Sequence, residues 1–151
     1  WNYKYGYNWG DNAAIAPFYW KFRDLDSGKI ERTIKFNFHF LNFMHRVNQA
    51  PLPSVEPNPG QLFRGIYVIA NEPFDIKNTQ LLIHRYENDL ERDDAWLYLG
   101  FQRRVRRLPA GQITDSFLGS DLMIEDFEGY NGRISDMNWT YTGTQNVLLP
   151  C

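Results

Sequence analysis

Two runs of apolar–polar alternation flank one glycine-containing break, and a β-hairpin is the fold that satisfies both. Phe18, Trp20 and Phe22 alternate with Tyr19, Lys21 and Arg23. Asp26-Ser27-Gly28 interrupts, and then Ile34, Phe36, Phe38 and Phe40 alternate with Lys35, Asn37 and His39. A three-residue loop with Gly28 in the left-handed region sets Leu25 opposite Lys29. Trp20 then faces Ile34, Phe18 faces Phe36, and Arg23 meets Glu31 as an opposite-charge pair. A two-residue loop would set Trp20 against Lys35, burying one and exposing the other. Cross-strand pairs are worth only about 0.2–1 kcal/mol each, but all of them favour the three-residue loop.

The remaining chain reads as further extended segments joined by loops. Alternation stumbles at Leu41-Asn42-Phe43, which predicts a bulge or bend. Pro51, Pro53, Pro57 and Pro59 forbid regular pairing, so Gln49 to Gly60 is expected to be a surface loop. Leu62 to Ala70 and Thr79 to Tyr86 read as strands. A second hairpin spans Asp93 to Leu108, with Trp96 and Tyr98 on one face, Leu97 and Leu99 on the other, and a turn at Gly100. Its returning strand carries Arg103, Arg104, Arg106 and Arg107. Ser120 or Asp121 is placed to cap a short helical turn through Phe127, and Arg133 to Tyr141 reads as a last strand. The result is a mainly β, single domain over 1–151 with at most one or two short helices.

Composition narrows the function. Aromatic residues make up 17% of the 151 residues, a proportion suited to pleated, half-buried surfaces. A formal charge of -2 argues against a general polyanion binder, nucleic acid included. Cys151 is the single cysteine, so no internal disulfide is available. No stretch approaches the roughly 18 consecutive apolar residues of a membrane-spanning helix. The chain opens on Trp1 and is expected to be a piece of a longer or processed protein.

Candidate chemistry is sparse. Along a strand, Arg103 and Arg107 point one way with Val105, and Arg104 and Arg106 the other. This split favours structural pairing with the acids Glu87, Asp89, Glu91, Asp93 and Asp94, or with Asp121, Glu125 and Asp126, over a nucleic-acid surface. Contact with an acidic headgroup or a partner is the intermediate reading. Asp121, Glu125, Asp126 and Glu128 are too close in sequence to face each other across a glycosidase cleft. His39, His45 and His84 lack metal-ligand spacing and are expected on sheet surfaces. Trp1, Tyr5 and Trp9, if coplanar and exposed, would suit a sugar. There is no phosphate loop, nucleophile elbow or metalloprotease motif, and the expectation is no catalysis and no cofactor.

Arg85-Tyr86, Asp94-Ala95-Trp96-Leu97-Tyr98-Leu99, Arg103-Arg104-Val105-Arg106-Arg107, Asp115 to Asp121 and Glu125-Asp126-Phe127 together form a long, unusual block. With Trp20-Lys21-Phe22 and Asp24 to Gly28, it resembles a family of Gram-negative secreted proteins often labelled outer membrane lipoprotein-sorting proteins, relatives of the LolA/LolB carriers. The resemblance covers nearly the whole chain, which matches the C-terminal portion of longer members. It implies a strongly curved antiparallel sheet, an open or half β-barrel, around an apolar cavity. It also implies a periplasmic, non-catalytic carrier of lipid or lipoprotein acyl chains, working to or from the outer membrane. The ligand-binding face would be Phe18, Trp20, Phe22, Ile34, Phe36, Phe38 and Phe40. Arg103, Arg104, Arg106 and Arg107 would be headgroup or partner contacts. An inner-membrane lipid exporter or an outer-membrane acceptor is the implied partner. The rival expectation is an adaptor that docks on an exporter of the resistance-nodulation-division type without carrying lipid itself.

Overall fold

The computed structural model of the chain describes residues 10–109, 116–123, 132–146 and 148. Six strands follow one another: β1 (Asn12–Arg23), β2 (Ile30–Asn42), β3 (Leu62–Glu72), β4 (Gln80–Tyr86), β5 (Asp94–Leu99) and β6 (Arg104–Leu108). They form one antiparallel sheet in sequence order, β1-β2-β3-β4-β5-β6, so β1 and β6 are edges and the curved sheet stays open. The helical content of the described residues is one short 3-10 turn, Ile134–Asp136, where Arg133 to Tyr141 was expected to be a strand. The proposed cap at Ser120 is instead part of a tight turn. Its hydroxyl donates to the Phe117 carbonyl at 2.7 Å, and Ser116 bridges to Met123. The expected continuation through Phe127 lies outside the described residues, as does the aromatic stretch Trp1 to Trp9.

The expected first hairpin forms with its central register intact, Trp20 opposite Ile34 and Phe18 opposite Phe36. Its tip differs. Asp24, not Leu25, pairs with Lys29, and Leu25 to Gly28 form the loop, closed by the Gly28 N–H on the Asp24 carbonyl at 2.9 Å. Gly28 takes φ 66°, the left-handed geometry expected of it. The longer loop shifts the register by one, and β2 recovers it by bulging at Glu31, so Arg23 faces Ile30 instead of Glu31. The Asp24 carboxylate takes hydrogen bonds from the Ser27 hydroxyl and N–H at 2.6 and 2.7 Å, contacts that stabilise this wider turn.

The bulge or bend expected at Leu41-Asn42-Phe43 takes the form of a bend: β2 ends at Asn42 and the chain bends from Phe43 onward, with no bulge at Leu41 or Asn42. Alternation continues through Asn42, which takes an inward, buried position. A polar residue there reads as a break in the pattern, but its amide is occupied: Nδ2 donates to the Gly10 carbonyl at 3.1 Å and Oδ1 accepts from Arg64. The bulges fall elsewhere, at Ala16-Pro17 in β1, at Asn71 and at Phe63 in β3. Pro17 lacks an N–H and sits on an edge strand at such a bulge, where no ladder hydrogen bond is forfeited.

One face of the sheet carries the core. Ile34, Phe36, Phe38 and Phe40 of β2 pack with Ile66 and Val68 of β3, Leu81 and Ile83 of β4, Ala95 of β5, and Phe117 beyond β6. Ile34 is fully buried, at 0% exposure. Phe36 lies between Phe18 and Trp20, each ring centroid 4.9 Å away in edge-on geometry. Such pairs add about 0.5–1.5 kcal/mol beyond area burial.

The proline-rich loop between β2 and β3 is irregular, as expected, yet it is firmly anchored. Asp11 is buried just ahead of β1, and its carboxylate accepts the N–H groups of Val47, Asn48 and Gln49 at 2.8, 2.6 and 2.6 Å. Arg46 is buried beside it and donates to the carbonyls of Asn42, Gln49 and Pro51. Burial works to raise the Asp11 carboxyl, but the three N–H donors and the Arg46 charge outweigh it and hold the group below its ordinary value. A carboxyl that binds its proton more weakly when folded stabilises the fold above its unfolded value of about 3.9, and this is lost as pH falls through the lower folded value. Acid unfolding followed by circular dichroism is therefore expected to lose its steepest part below about pH 4 in Asp11→Asn. The variant is also expected to be less stable than the wild type at pH 7. Equal slopes in the two proteins would count against Asp11 as the anchor.

Candidate functional site

The core face is ordered in rows, because directly paired residues on neighbouring strands point the same way. One row runs Ala13, Phe40, Ile66, Ile83, Ala95, Leu108 across β1 to β6. The next runs Ile15, Phe38, Val68, Leu81, Leu97, Arg106. Further along, Phe18, Phe36 and Ala70 share a row, and Leu99 faces Arg104. The inner face is thus apolar across five strands and turns cationic at the last.

Toward the proline loop the face ends in a polar sill of Asn42, Arg64, Arg85 and Asp93. Arg64 Nε donates to Asn42 Oδ1 at 2.8 Å, and its guanidinium lies over the rings of Phe40 and Phe63 at 5.2 and 5.3 Å. Arg85 Nε and Nη2 both donate to the Asp93 carboxylate, at 3.1 and 2.8 Å to Oδ2. This forked pair is largely screened from solvent, in the geometry that makes arginine–carboxylate contacts strong.

The expected ligand-binding residues divide in two. Ile34, Phe36, Phe38 and Phe40 are buried in the core, whereas Phe18, Trp20 and Phe22 on edge strand β1 are half-buried. Trp20 also meets Phe117 edge-on at 6.0 Å. The four arginines divide as well. Arg103 sits in the β5–β6 turn at φ 51° and not in the strand. Arg107 is on the outer face, where Nη2 donates to Asp94 Oδ1. It is the one of the four that makes the expected pairing with the nearby acids among the described residues. Arg104 and Arg106 share the inner face with Leu97 and Leu99, and Arg106 donates to the Gln102 side chain at 2.9 Å.

The outer face carries a network that sequence reasoning did not single out, although its residues lie in the block that carried the resemblance. Tyr86 donates its hydroxyl proton to Asp94 Oδ2 at 2.8 Å, and Asp94 also receives Arg107. The Arg107 hydrogen bond chiefly lowers the Asp94 carboxyl against the opposing effect of its burial. The bond to Asp94, then burial and the charges of Asp94 and Glu91, push the Tyr86 phenol up to about 12. His84 stacks edge-on against Trp96 at 4.9 Å, and burial lowers its ring against the pull of Asp94. His39 is likewise on the outer face beside Tyr67 at 6.0 Å. His45 lies past the end of β2, in the loop instead of a strand, with Nε2 2.9 Å from Glu87. Among the described residues no cluster of three or more His, Cys, Asp or Glu side chains is placed to hold a metal ion. Of the carboxylates weighed earlier, Glu125, Asp126 and Glu128 lie outside the described residues.

An open, curved antiparallel sheet with an apolar inner face, a polar sill and a cationic last strand defines a β-scaffold of the half-barrel class. Comparison with known proteins agrees and identifies the family. The chain belongs to DUF1329, a family of proteins of unknown function, whose family model matches residues 1–151. A DUF1329 protein of Desulfovibrio piger, solved by crystallography, has a TM-score of 0.64 at 21% identity over 93% of this chain and 50% of its own. A domain of Vibrio parahaemolyticus, described provisionally as an outer membrane lipoprotein-sorting protein, has a TM-score of 0.55 at 24% identity, covering 79% of this chain and 41% of that one. At these identities the likeness is one of fold. The uncharacterized protein PA3922 of Pseudomonas aeruginosa is 32% identical over 85 residues, 52% of this chain and 18% of that protein. The chain therefore spans half or less of the length of the relatives it matches. No helix among the described residues is long and apolar enough to cross a membrane.

The phenol makes the outer-face network testable. A tyrosine that holds its proton more tightly when folded stabilises the fold below its unfolded value of about 10, and the contribution fades as pH rises from there toward about 12. Phenolate absorbance is expected to show one tyrosine titrating near pH 12 in the native protein and missing in Tyr86→Phe. Identical titration curves would contradict the Tyr86–Asp94 bond.

Proposed function

We propose that the protein is a non-catalytic carrier of the Gram-negative periplasm that shields acyl chains of lipid or lipoprotein against the inner face of its sheet. The observation that carries this reading is the asymmetry of that face. Half-buried Phe18, Trp20 and Phe22 border it on β1, while Arg104 and Arg106 border it on β6. The deeper residues of β2 serve as floor, because their packing against β3 and β4 already removes them from solvent. A guest would therefore be met by the β1 aromatics, with its acidic headgroup toward the arginines.

Non-directional contacts suffice for such a task. Each buried methylene contributes about 0.8 kcal/mol, so a long chain binds without shape-specific hydrogen bonds. Arginine adds a planar fork suited to phosphate or carboxylate. The fold shared with the Vibrio parahaemolyticus domain supports the carrier reading over an enzymatic one. Exchange with an inner-membrane exporter or an outer-membrane acceptor completes the proposal.

Solvent extraction of gently purified protein, followed by mass spectrometry, is expected to release an acyl-chain lipid in near-stoichiometric amount. Arg104→Glu with Arg106→Glu is expected to lower that occupancy about tenfold or more, since reversing two charges costs at least the 1.4 kcal/mol of one decade. Protein that yields no lipid but co-purifies with a membrane exporter would replace the carrier with the adaptor reading.

A further inference from the structure

We infer that the β3–β4 and β5–β6 turns form a docking edge for an anionic bilayer surface, with Phe74 and Phe101 entering the headgroup region. In a meander these two turns lie at the same end of the sheet. Phe74 is 92% exposed and Phe101 70% exposed, whereas Ile76 in the same turn as Phe74 packs against the core. Single exposed apolar side chains are ordinary, but two large rings on adjoining turns with basic side chains beside them make a surface of the kind that marks an interaction site.

Both turns are internally hydrogen-bonded, and they touch. The Lys77 N–H donates to the Phe74 carbonyl at 3.3 Å, the Thr79 N–H to the Ile76 carbonyl at 2.9 Å, and the Arg103 N–H to the Leu99 carbonyl at 2.9 Å. Gly100 lies so close to the Lys77 carbonyl that a Cβ there would come within 2.5 Å of its oxygen. The two turns thus pack backbone against backbone, which sets Phe74 and Phe101 on neighbouring turns at one end of the sheet.

Charge selects the partner. Lys77 follows Phe74, and Arg103 and Arg104 follow Phe101. The acid within these turns, Asp75, is neutralised by Arg32 at 2.9 Å. An aromatic ring with lysine and arginine beside it suits the interface of a membrane rich in anionic lipid. The opposite end of the sheet supplies the contrast. Leu90 there is 77% exposed, but Glu87, Asp89 and Glu91 surround it in sequence, so an anionic surface would repel that end. Leu25, at the tip of the β1–β2 hairpin, shares the end of Phe74 and Phe101, but Asp24 and Asp26 flank it and with Glu31 offset Arg23, Lys29 and Arg32, which leaves that hairpin without a basic surplus. The edge is therefore confined to the two phenylalanine turns.

The inference goes beyond the carrier reading and does not require a lipid on the inner face. Its test is flotation of the protein with vesicles of phosphatidylglycerol and phosphatidylcholine, or of phosphatidylcholine alone, at low and high salt. The wild type is expected to float with the anionic vesicles, less with the neutral ones, and less as salt rises. Phe74→Ser with Phe101→Ser is expected to lower the bound fraction about tenfold. Lys77→Glu with Arg103→Glu is expected to abolish the preference for anionic vesicles. Leu90→Ser is expected to float as the wild type does. All of these positions are exposed, and an unchanged melting curve verifies folding. Failure of the wild type to float, undiminished flotation of the double phenylalanine variant, or equal loss in Leu90→Ser would each overturn the inference. A protein that releases lipid on extraction but never floats would overturn it and leave the carrier reading standing.

Discussion

The structure depends on the packing of β2. Its inward side chains, Ile34, Phe36, Phe38 and Phe40, touch both neighbouring strands and the Phe117 turn, and they turn a six-stranded ribbon into a curved sheet with a dry side. An isolated antiparallel sheet with one wet face gains stability only if its other face is covered. Here the β1 aromatics supply part of that cover, with Phe18 and Trp20 edge-on against Phe36. Everything else is arranged around this strand: the Asp11 and Arg46 contacts fasten the loop that leaves its lower end, and the Arg64–Asn42 bond closes the apolar rows there.

Much of this was legible in the alternation of Phe18 to Phe40, since a period of two admits few alternatives and the aromatic pairs fix the register. The tip was not, because a wider turn and a bulge at Glu31 compensate each other and leave the central pairs unchanged. Asn42 was legible only in part, since the chain bends just after it and not at it. A polar residue at an inward position resembles a break in the strand, and only three-dimensional partners reveal that it is satisfied. Asp11 and Arg46 left no local signal, because they bind backbone groups of a loop whose path no periodicity describes.

The arginine strand was half legible. Period two separated Arg104 and Arg106 from Arg107 correctly, but the β5–β6 turn absorbs Arg103, which a strand pattern cannot foresee. The part of the resemblance block that lies in β4 to β6 proves to hold cross-strand partners. Arg85 grips Asp93 on the inner face, and Tyr86 with Arg107 holds Asp94 on the outer face. Those residues join β4, β5 and β6, and the contacts they make are architectural. The face proposed to hold a guest lies beside it, in the apolar rows and in the two arginines outside the outer network.

The carrier account turns on whether an acyl chain lies against the β1 aromatics. Quenching of tryptophan fluorescence by a fatty acid brominated along its chain measures that contact directly, because bromine quenches only at close range. The account predicts quenching in the wild type and loss of most of it in Trp20→Phe. Equal quenching in both proteins, or none in either, would place the chain elsewhere and contradict the role given to the inner face.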